Sequence, residues 1–217
     1  MQRSEVLEEL VPLVTEEDLF VCSIGGLVDD WWNLRPGRAD NTFSHVALGS
    51  HSSMGLGLAV ALPHRRVIVL DTDGSVLMNA GALCTLGNER PPNLTVIVFD
   101  NEIYESAGGQ PTLTSGHTDL ARMAEGAGCL NSSTVSSTDA FRKEAKRLLE
   151  DDEMGFLVAK IVPGSRSWRR EERYPLDGVE DKYRFIRHVE RIEGITIHPG
   201  PPQKFIPPGA DPDGARP

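Results

Sequence analysis

The sequence predicts an α/β protein with an open, doubly wound, mainly parallel sheet and helices on both faces. Apolar runs and helical patterns alternate along the chain from residue 2 to residue 162. The runs VIVL (67–70) and LTVIVF (94–99) also lack the polar alternation of a strand with one wet face. Continuous apolar strands are typical of parallel sheets that helices cover on both sides. The alternation and these strands together indicate a doubly wound fold.

Each predicted element is one apolar run or one helical pattern of this alternation. The strands are predicted at residues 20–23, 42–48, 66–71, 94–99, 129–135 and 155–162. The helices are predicted at residues 2–16, 26–34, 52–62, 75–89, 118–127, 137–151 and 179–193. The connection 100–117 is too long for a plain turn between a strand and a helix, which favours a functional loop.

The character of the chain changes after residue 163. Residues 1–163 are the predicted α/β domain, and residues 164–217 are a C-terminal extension. Within the extension, VEDKYRFIRHVERIE (179–193) has the pattern of an amphipathic helix. Residues 199–217 hold seven prolines and little to bury, so we predict an extended or disordered tail that lies over a partner.

Composition excludes several classes of partner. The formal net charge is −10 and no basic stripe offsets it, so we expect no nucleic-acid or acidic-membrane partner. The sequence has no long apolar run and an acidic first segment, which predicts neither a membrane span nor a signal peptide. Cys22, Cys84 and Cys129 lie in apolar stretches without metal-ligand spacing. We therefore predict buried thiols and a reducing, cytoplasmic location.

Two predicted strands end in polar residues that suit a ligand. Asp71-Thr72-Asp73-Gly74-Ser75 follows one strand, and Asp100-Asn101-Glu102-Ile103-Tyr104 closes the next. Ligands of open α/β sheets bind outside the carboxyl ends of the strands, so Asp73 and Asn101 reach one crevice if these strands are neighbours. Carboxylate, amide and backbone oxygens suit Mg²⁺ or Ca²⁺, and Mg²⁺ completes its shell with phosphate and water. The pattern predicts a metal that bridges Asp73 to a diphosphate, which Gly74 and Ser75 contact through backbone N–H groups.

The Asp-Gly-Ser triplet, followed by Asn101 at the next strand end, resembles the thiamine-diphosphate-binding motif of thiamine-dependent enzymes. LMNAGALCTLGNERPPNLTVIVFDNEIYESAGGQPT and LDGVEDKYRFIRHVE are similar to sulfopyruvate decarboxylase β subunits and to the C-terminal part of phosphonopyruvate decarboxylase. This resemblance implies the diphosphate-type thiamine diphosphate domain, with thiamine diphosphate and Mg²⁺ as cofactors. It implies that Asp73, Asn101 and the Ile103 carbonyl bind Mg²⁺, and that Gly74 and Ser75 bind the diphosphate.

The segment HVALGSHSSMGLGLAVALP aligns with a second part of the family pattern. The resemblance implies that Leu48 wedges thiamine into its bent shape and that the Val46 carbonyl accepts a hydrogen bond from its amino group. Gly49 and Tyr104 are assigned to the same cofactor site. Val46 and Ala47 replace a Gly-Ser pair of the family, and Thr72 replaces the glycine before the metal-binding aspartate. A positive φ at Thr72 would strain a β-branched residue there.

Acid–base candidates are His51, which follows Leu48-Gly49, and Glu105 on the long loop. Each has a plainer alternative. A single histidine is more often structural than catalytic, and the loop side chains Tyr104, Glu105 and Gln110 equally suit hydrogen bonds that fix the loop. Gly108-Gly109 suggests a hinge.

The resemblance implies half of an enzyme. A complete thiamine enzyme needs a second, pyrimidine-binding domain with an activating glutamate, and this chain is long enough for only one of the two. We therefore predict a pyrimidine-domain (α-type) partner subunit and a hetero-oligomer such as a heterotetramer or larger, with the chain inactive alone. The implied reaction converts a small 2-oxo acid similar to sulfopyruvate or phosphonopyruvate to an aldehyde and CO₂. The active-site loops carry no arginine cluster that could hold a second anionic group of the substrate. Either the partner supplies such a cluster, or the substrate is a different 2-oxo acid.

Alternative functions remain open from the sequence. The chain suits a thiamine-dependent carboligase subunit similar to acetolactate synthase. Thr72 and the altered HVALG loop favour a non-catalytic homologue that acts as a structural or regulatory partner. An oxidoreductase β subunit is disfavoured because the cysteines lack iron–sulfur spacing.

Overall fold

The computed structural model describes residues 1–36, 40–164, 169, 173–175 and 177–197. The strands are β1 (Leu19–Cys22), β2 (Thr42–Phe43), β3 (Val67–Thr72), β4 (Leu94–Asp100), β5 (Ile103–Tyr104), β6 (Gln110–Pro111), β7 (Asn131–Val135) and β8 (Gly155–Lys160). The α-helices are α1 (Arg3–Leu10), α2 (Gly26–Leu34), α3 (His51–Ala61), α4 (Asp73–Met78), α5 (Ala82–Glu89), α6 (Leu120–Gly126), α7 (Thr138–Glu150) and α8 (Gly178–Glu193).

Six of the strands form one parallel sheet, in the order β2-β1-β3-β4-β8-β7. Strands β5 and β6 form a small antiparallel hairpin within the connection 100–117. Apolar side chains cover both faces of the sheet: Val67 and Val69 point into one cluster, and Ile68 and Leu70 into the other. The predicted doubly wound α/β fold is confirmed.

The helices divide between these two clusters. α3, α4, α5, α6 and α8 contribute buried residues to the cluster around Val69, while α1, α2 and α7 contribute to the cluster around Leu70. Phe185 and Val189 of α8 are 6% and 4% exposed and belong to the first cluster. The helix of the C-terminal extension therefore packs into the same core as the preceding domain. The proposed tail, residues 199–217, lies outside the described residues.

Three predicted elements differ from the structure. The first helix ends at Leu10, and Pro12 lies in a short 3₁₀ turn after it, because proline cannot donate the next helical hydrogen bond. The predicted helix 75–89 is two helices, α4 and α5, and the break begins at Asn79, whose φ and ψ are −145° and 55°. The predicted strand 42–48 is only Thr42–Phe43.

That strand stops early because the backbone of the next two residues bonds to a side chain. The N–H groups of Ser44 and His45 donate to Oδ2 of Asp181, at 2.9 and 3.0 Å, instead of pairing with a neighbouring strand. Asp181 lies on α8, far along the chain, so the pattern of residues 42–48 gives no sign of it.

Helix length and side-chain burial bear on two predictions: that no helix spans a membrane and that the cysteines are buried. None of the helices in the described ranges is both long enough and apolar enough to span a bilayer. Cys22 and Cys129 are buried as predicted, but the prediction is wrong for Cys84, which is exposed on α5.

The strand order brings the predicted site together. β1, β3 and β4 are consecutive neighbours in the sheet, with Thr72 opposite Phe99 in the register of β3 and β4. Asp73 and Asn101 follow these two strands directly. The expectation that the two strands are neighbours is confirmed, and the carboxyl ends of β1, β3 and β4 border one crevice.

Candidate functional site

A cavity of about 420 Å³ lies at the carboxyl ends of β1, β3 and β4. It is lined by Arg3, Ser23, Ile24, Gly25, Gly26, Leu27, Leu48, Thr72, Asp73, Gly74, Ser75, Met78, Asn101, Ile103, Tyr104, Glu105, Ser106 and Ala107. Eight residues predicted for the site are in this lining: Leu48, Asp73, Gly74, Ser75, Asn101, Ile103, Tyr104 and Glu105. Val46, Gly49 and His51 are not among the residues that line the cavity.

Asp73 carries one oxygen that the surrounding protein does not satisfy. The residue is 1% exposed, and its Oδ2 lies 2.6 Å from Thr112 Oγ1 and 3.1 Å from Thr114 Oγ1. Its Oδ1 is buried and has no hydrogen-bond partner among the described residues. Burial raises the pKa of this carboxyl, and the hydrogen bond from Thr112 acts in the opposite direction. A buried carboxylate oxygen with no partner fits a metal ion.

Asn101 and Ile103 form a tight turn beside that oxygen. The Ile103 N–H donates to Asn101 Oδ1 at 3.2 Å, and Glu102 between them has a left-handed φ of 65°. Ile103 faces Pro111 across the hairpin, and proline has no N–H to donate to the Ile103 carbonyl. Asn101 and Ile103 both line the cavity that Asp73 lines, and Pro111 gives the Ile103 carbonyl no N–H donor across the hairpin.

The donor set suits Mg²⁺ that also binds a non-protein ligand. No group of three or more His, Cys, Asp or Glu side chains able to hold a metal is found in the part of the chain that the structure describes. One carboxylate, one amide oxygen and one carbonyl leave several positions of an octahedral ion for phosphate oxygens and water. The residues present therefore fit a metal–diphosphate pair better than a metal alone.

Thr72 is not strained at the position where the family usually has glycine. Its φ and ψ are −119° and 156°, which is extended backbone that any residue adopts. Its hydroxyl accepts a hydrogen bond from the Ser75 N–H at 3.4 Å and so caps α4. The backbone of Thr72 is therefore not strained, and strain gives no reason to expect a weakened site there.

Gly74 lies under an aromatic ring. A Cβ added to it would lie 2.6 Å from Cε1 of Tyr104, a distance that no side chain tolerates. Glycine here lets the loop that carries Tyr104 close onto the start of α4, and both residues line the cavity.

His51 supports the cavity wall from behind. It is fully buried, and its Nδ1 lies 3.2 Å from Ser75 Oγ and 3.3 Å from Asp71 Oδ1. The Gly49 N–H also donates to Ser75 Oγ, at 3.0 Å. His51 is not among the residues that line the cavity, and its contacts match the alternative of a residue that orients Ser75. Its catalytic assignment stays a prediction.

Glu105 lines the cavity, but other groups hold it. Its Oε1 accepts the Gly164 N–H at 2.9 Å, and its Oε2 lies 3.4 Å from Asn101 Nδ2. Arg3 Nη1 lies 3.6 Å from the same Oε2. The catalytic assignment of Glu105 stays a prediction, and its contacts match the alternative of a loop-fixing residue.

The loop before α3 presents one apolar side chain to the cavity. Leu48 lines the cavity and is 44% exposed, and its role as the wedge under thiamine stays a prediction. Gly49 after it has a φ of 84°, which favours glycine, and its carbonyl accepts from Asn79 Nδ2 at 3.0 Å. Val46 packs against the core, and its N–H donates to the Ser44 carbonyl at 2.8 Å. Its predicted contact with the cofactor stays a prediction.

Asp181 of α8 anchors the start of this loop. Besides the N–H groups of Ser44 and His45, it accepts a hydrogen bond from the Tyr174 hydroxyl at 2.5 Å, and it is 1% exposed.

We expect Asp181→Asn to lower the free energy of unfolding by about 1.5–3 kcal/mol, because an amide lacks the charge that these donors face. Urea unfolding measures this loss. Asp177→Asn is the matched control on the same helix, because asparagine caps a helix start as well as aspartate, and an equal loss in both would contradict the anchor.

The sequence interpretation missed several lining residues. Ser23, Ile24, Gly25 and Gly26 join β1 to α2 and repeat the strand–glycine–helix pattern used to find Asp73, so this signal was available. Arg3 comes from α1, before the first strand, and no motif marks it. Among the described residues that line the cavity, Arg3 is the one arginine, and it comes from a helix rather than from a loop.

Comparisons with known proteins identify the family of this chain. A family model described as thiamine pyrophosphate enzyme, C-terminal TPP binding domain, matches residues 24–159. The chain is 34% identical over 190 residues to the sulfopyruvate decarboxylase subunit beta of Methanocaldococcus jannaschii, across 88% of this chain and 98% of the relative. It is 34% identical over 163 residues to the phosphonopyruvate decarboxylase of Streptomyces viridochromogenes, across 75% of this chain and 40% of the relative. The crystal structure of benzoylformate decarboxylase from Polynucleobacter necessarius matches the fold with a TM-score of 0.61 at 19% identity, across 80% of this chain and 34% of that one.

Proposed function

This chain belongs to the thiamine pyrophosphate enzymes, whose C-terminal TPP-binding domain it contains, and we propose that it is the diphosphate-binding subunit of a split, thiamine-diphosphate-dependent 2-oxo acid decarboxylase. The observation that carries the proposal is the buried, unsatisfied Oδ1 of Asp73 in a cavity shared with Asn101 and Ile103. A metal-bridged diphosphate would satisfy this oxygen and would use the remaining donors of the site.

The chain's own residues would hold and orient the cofactor. Asp73 Oδ1, Asn101 Oδ1 and the Ile103 carbonyl would bind Mg²⁺, and Gly74 and Ser75 would contact the diphosphate. Thr112 fixes the Asp73 carboxylate through its other oxygen. When bound, thiamine diphosphate supplies the nucleophile and electron sink for loss of CO₂ from a 2-oxo acid.

A second chain would complete the site. Ile24, Leu48 and Met78 line the cavity and are 44%, 44% and 56% exposed. Exposed apolar side chains around a ligand cavity favour a protein that covers it. The relatives named subunit beta support a hetero-oligomer, and we propose a pyrimidine-binding α-type partner that carries the activating glutamate. We also propose the cytoplasm as the compartment, because free thiols fit reducing conditions.

The substrate class follows from the relatives' names, and we propose a small 2-oxo acid with a second anionic group. Sulfopyruvate and phosphonopyruvate are the compounds to test. The alternative of a non-catalytic homologue depended partly on strain at Thr72, and the extended backbone of Thr72 supports the catalytic proposal instead.

The test is CO₂ release by the chain and its partner subunit with Mg²⁺ and thiamine diphosphate. We expect a higher kcat/KM for sulfopyruvate or phosphonopyruvate than for pyruvate. Product analysis with an added aldehyde acceptor separates a decarboxylase, which gives free aldehyde, from a carboligase, which gives a hydroxyketone. A complex that binds cofactor but turns over none of these acids would contradict the proposal.

A further inference from the structure

Arg3 is an unassigned cation inside the proposed cofactor cavity. It begins α1, lines the cavity and is 9% exposed. Its Nε donates to Asp30 Oδ2 at 2.6 Å, and Asp30, on α2, is 2% exposed. This buried pair fixes the guanidinium in place, because separating it would leave a charge without compensation.

The pair leaves part of the guanidinium unused. A guanidinium has five N–H donors in a planar fork. Arg3 Nη2 is buried and has no hydrogen-bond partner in the described ranges of the chain. Burying a donor without an acceptor costs free energy, so a ligand acceptor in the cavity accounts for this nitrogen.

Ser23 and Gly26 line the same cavity as Arg3 and add further donors to it. Ser23 is 1% exposed, and its Oγ also lacks a partner within the described residues. Gly26 is the first residue of the nine-residue helix α2, and a Cβ added to it would lie 2.6 Å from Arg3 Nη2. The guanidinium therefore lies against the first turn of α2, whose N–H groups have no helical acceptor. We call Arg3, Ser23 and this first turn the anion cluster.

The chemistry of the anion cluster selects its ligand. A guanidinium fork, a hydroxyl and the first turn of a helix together suit a phosphoryl or sulfonyl group. Arg3 Nη1 lies 3.6 Å from Glu105 Oε2, and Glu105 contacts Asn101, a proposed metal ligand. The cluster is thus connected to the proposed metal end of the cavity.

We propose that Arg3 is a diphosphate-binding residue whose Nη2, with Ser23 and the first turn of α2, binds the terminal phosphoryl group of the cofactor. This inference rests on the proposed function, because it takes the diphosphate site as given. Among the described residues that line the cavity, Arg3 is the one cationic side chain. Its role is to offset the diphosphate charge that a single Mg²⁺ leaves uncompensated.

The test measures binding of inorganic pyrophosphate with Mg²⁺ to the full chain by calorimetry. Arg3→Gln combined with Asp30→Asn removes both charges, so no buried carboxylate is left unpaired. We expect this double variant to bind roughly ten- to a hundredfold more weakly, the loss typical of a charged hydrogen bond. Asp30→Asn alone keeps the guanidinium and should bind as tightly as wild type or tighter. Arg122→Gln, which removes an exposed arginine from α6, should change nothing.

Two results would overturn the inference. One is equal pyrophosphate affinity in the double variant and in wild type, with matching unfolding curves. The other is unchanged pyrophosphate affinity with a raised KM for the 2-oxo acid, which assigns Arg3 to the anionic group of the substrate. If the wild-type chain bound no magnesium pyrophosphate at all, the proposed function itself would fail, so the two failures are distinguishable.

Discussion

Asp73→Asn should abolish Mg²⁺-dependent binding of thiamine diphosphate and reduce decarboxylation by more than about a hundredfold. Outer-shell partners of metal ligands are worth about ten- to a hundredfold, so loss of a direct ligand should exceed that range. Asparagine keeps the shape of Asp73 and one oxygen that accepts from Thr112, so an uncharged amide NH₂ replaces the carboxylate oxygen that faces the proposed metal. Titration with Mg²⁺ at fixed thiamine diphosphate measures the effect.

The same variant should leave the metal-free fold at least as stable as wild type. Burial raises the pKa of Asp73, so the folded state binds its proton more tightly than the unfolded state does. The ionised carboxylate therefore costs stability, and wild-type stability falls as the pH rises between the unfolded and folded pKa of Asp73. Asp73→Asn should lack this fall. Loss of binding together with a less stable fold would contradict a metal-ligand role and indicate a structural one.

Two control variants separate the metal from general damage. Thr112→Val removes the hydroxyl that orients Asp73 without touching the cavity, and we expect an intermediate loss of cofactor affinity. Asp152→Asn removes an exposed carboxylate between α7 and β8, and it should bind cofactor as wild type does. Equal losses in Asp73→Asn and Thr112→Val would contradict direct ligation.

The sequence pattern predicted those site residues that directly follow a strand. Asp73, Gly74 and Ser75 directly follow β3, and Asn101 directly follows β4, so period and motif sufficed to place them. Arg3 reaches the cavity across α2 and is held by Asp30, a partner 27 residues away. No local pattern encodes such a contact, because it depends on how two helices pack.

The wrong strand prediction has the same cause. Residues 42–48 have the composition of a strand, but Asp181, 137 residues after Ser44, takes the hydrogen bonds that a longer strand would use. His51 shows that the contacts of a side chain are harder to predict from the sequence than its position. Its place next to Leu48-Gly49 was predicted from the sequence, yet only the packing of α3 against β3 turns its ring toward Asp71 and Ser75.

The isolated chain should release no CO₂ from any 2-oxo acid, and addition of the partner subunit should restore activity. We propose that the activating glutamate belongs to the partner, because each carboxylate that lines the described cavity has another contact or another proposed role. Asp73 faces the proposed metal, while Glu105 accepts from Gly164 and lies beside Arg3. Activity should therefore rise with partner concentration and saturate. Turnover by the chain alone would contradict the split active site.

Variants at the cavity rim can separate assembly from cofactor binding. Ile24→Lys and Met78→Lys place cations on exposed apolar positions that line the cavity, where we expect the partner to pack. Both should bind magnesium pyrophosphate at least as tightly as wild type does, because a cation does not repel this anion, and yet fail to be activated, because a buried unpaired charge opposes association. Leu130→Lys is the matched control. Leu130 is 67% exposed but precedes β7, at the amino edge of the sheet, so this variant should be activated normally. Activation of both rim variants at the wild-type partner concentration would place the interface elsewhere.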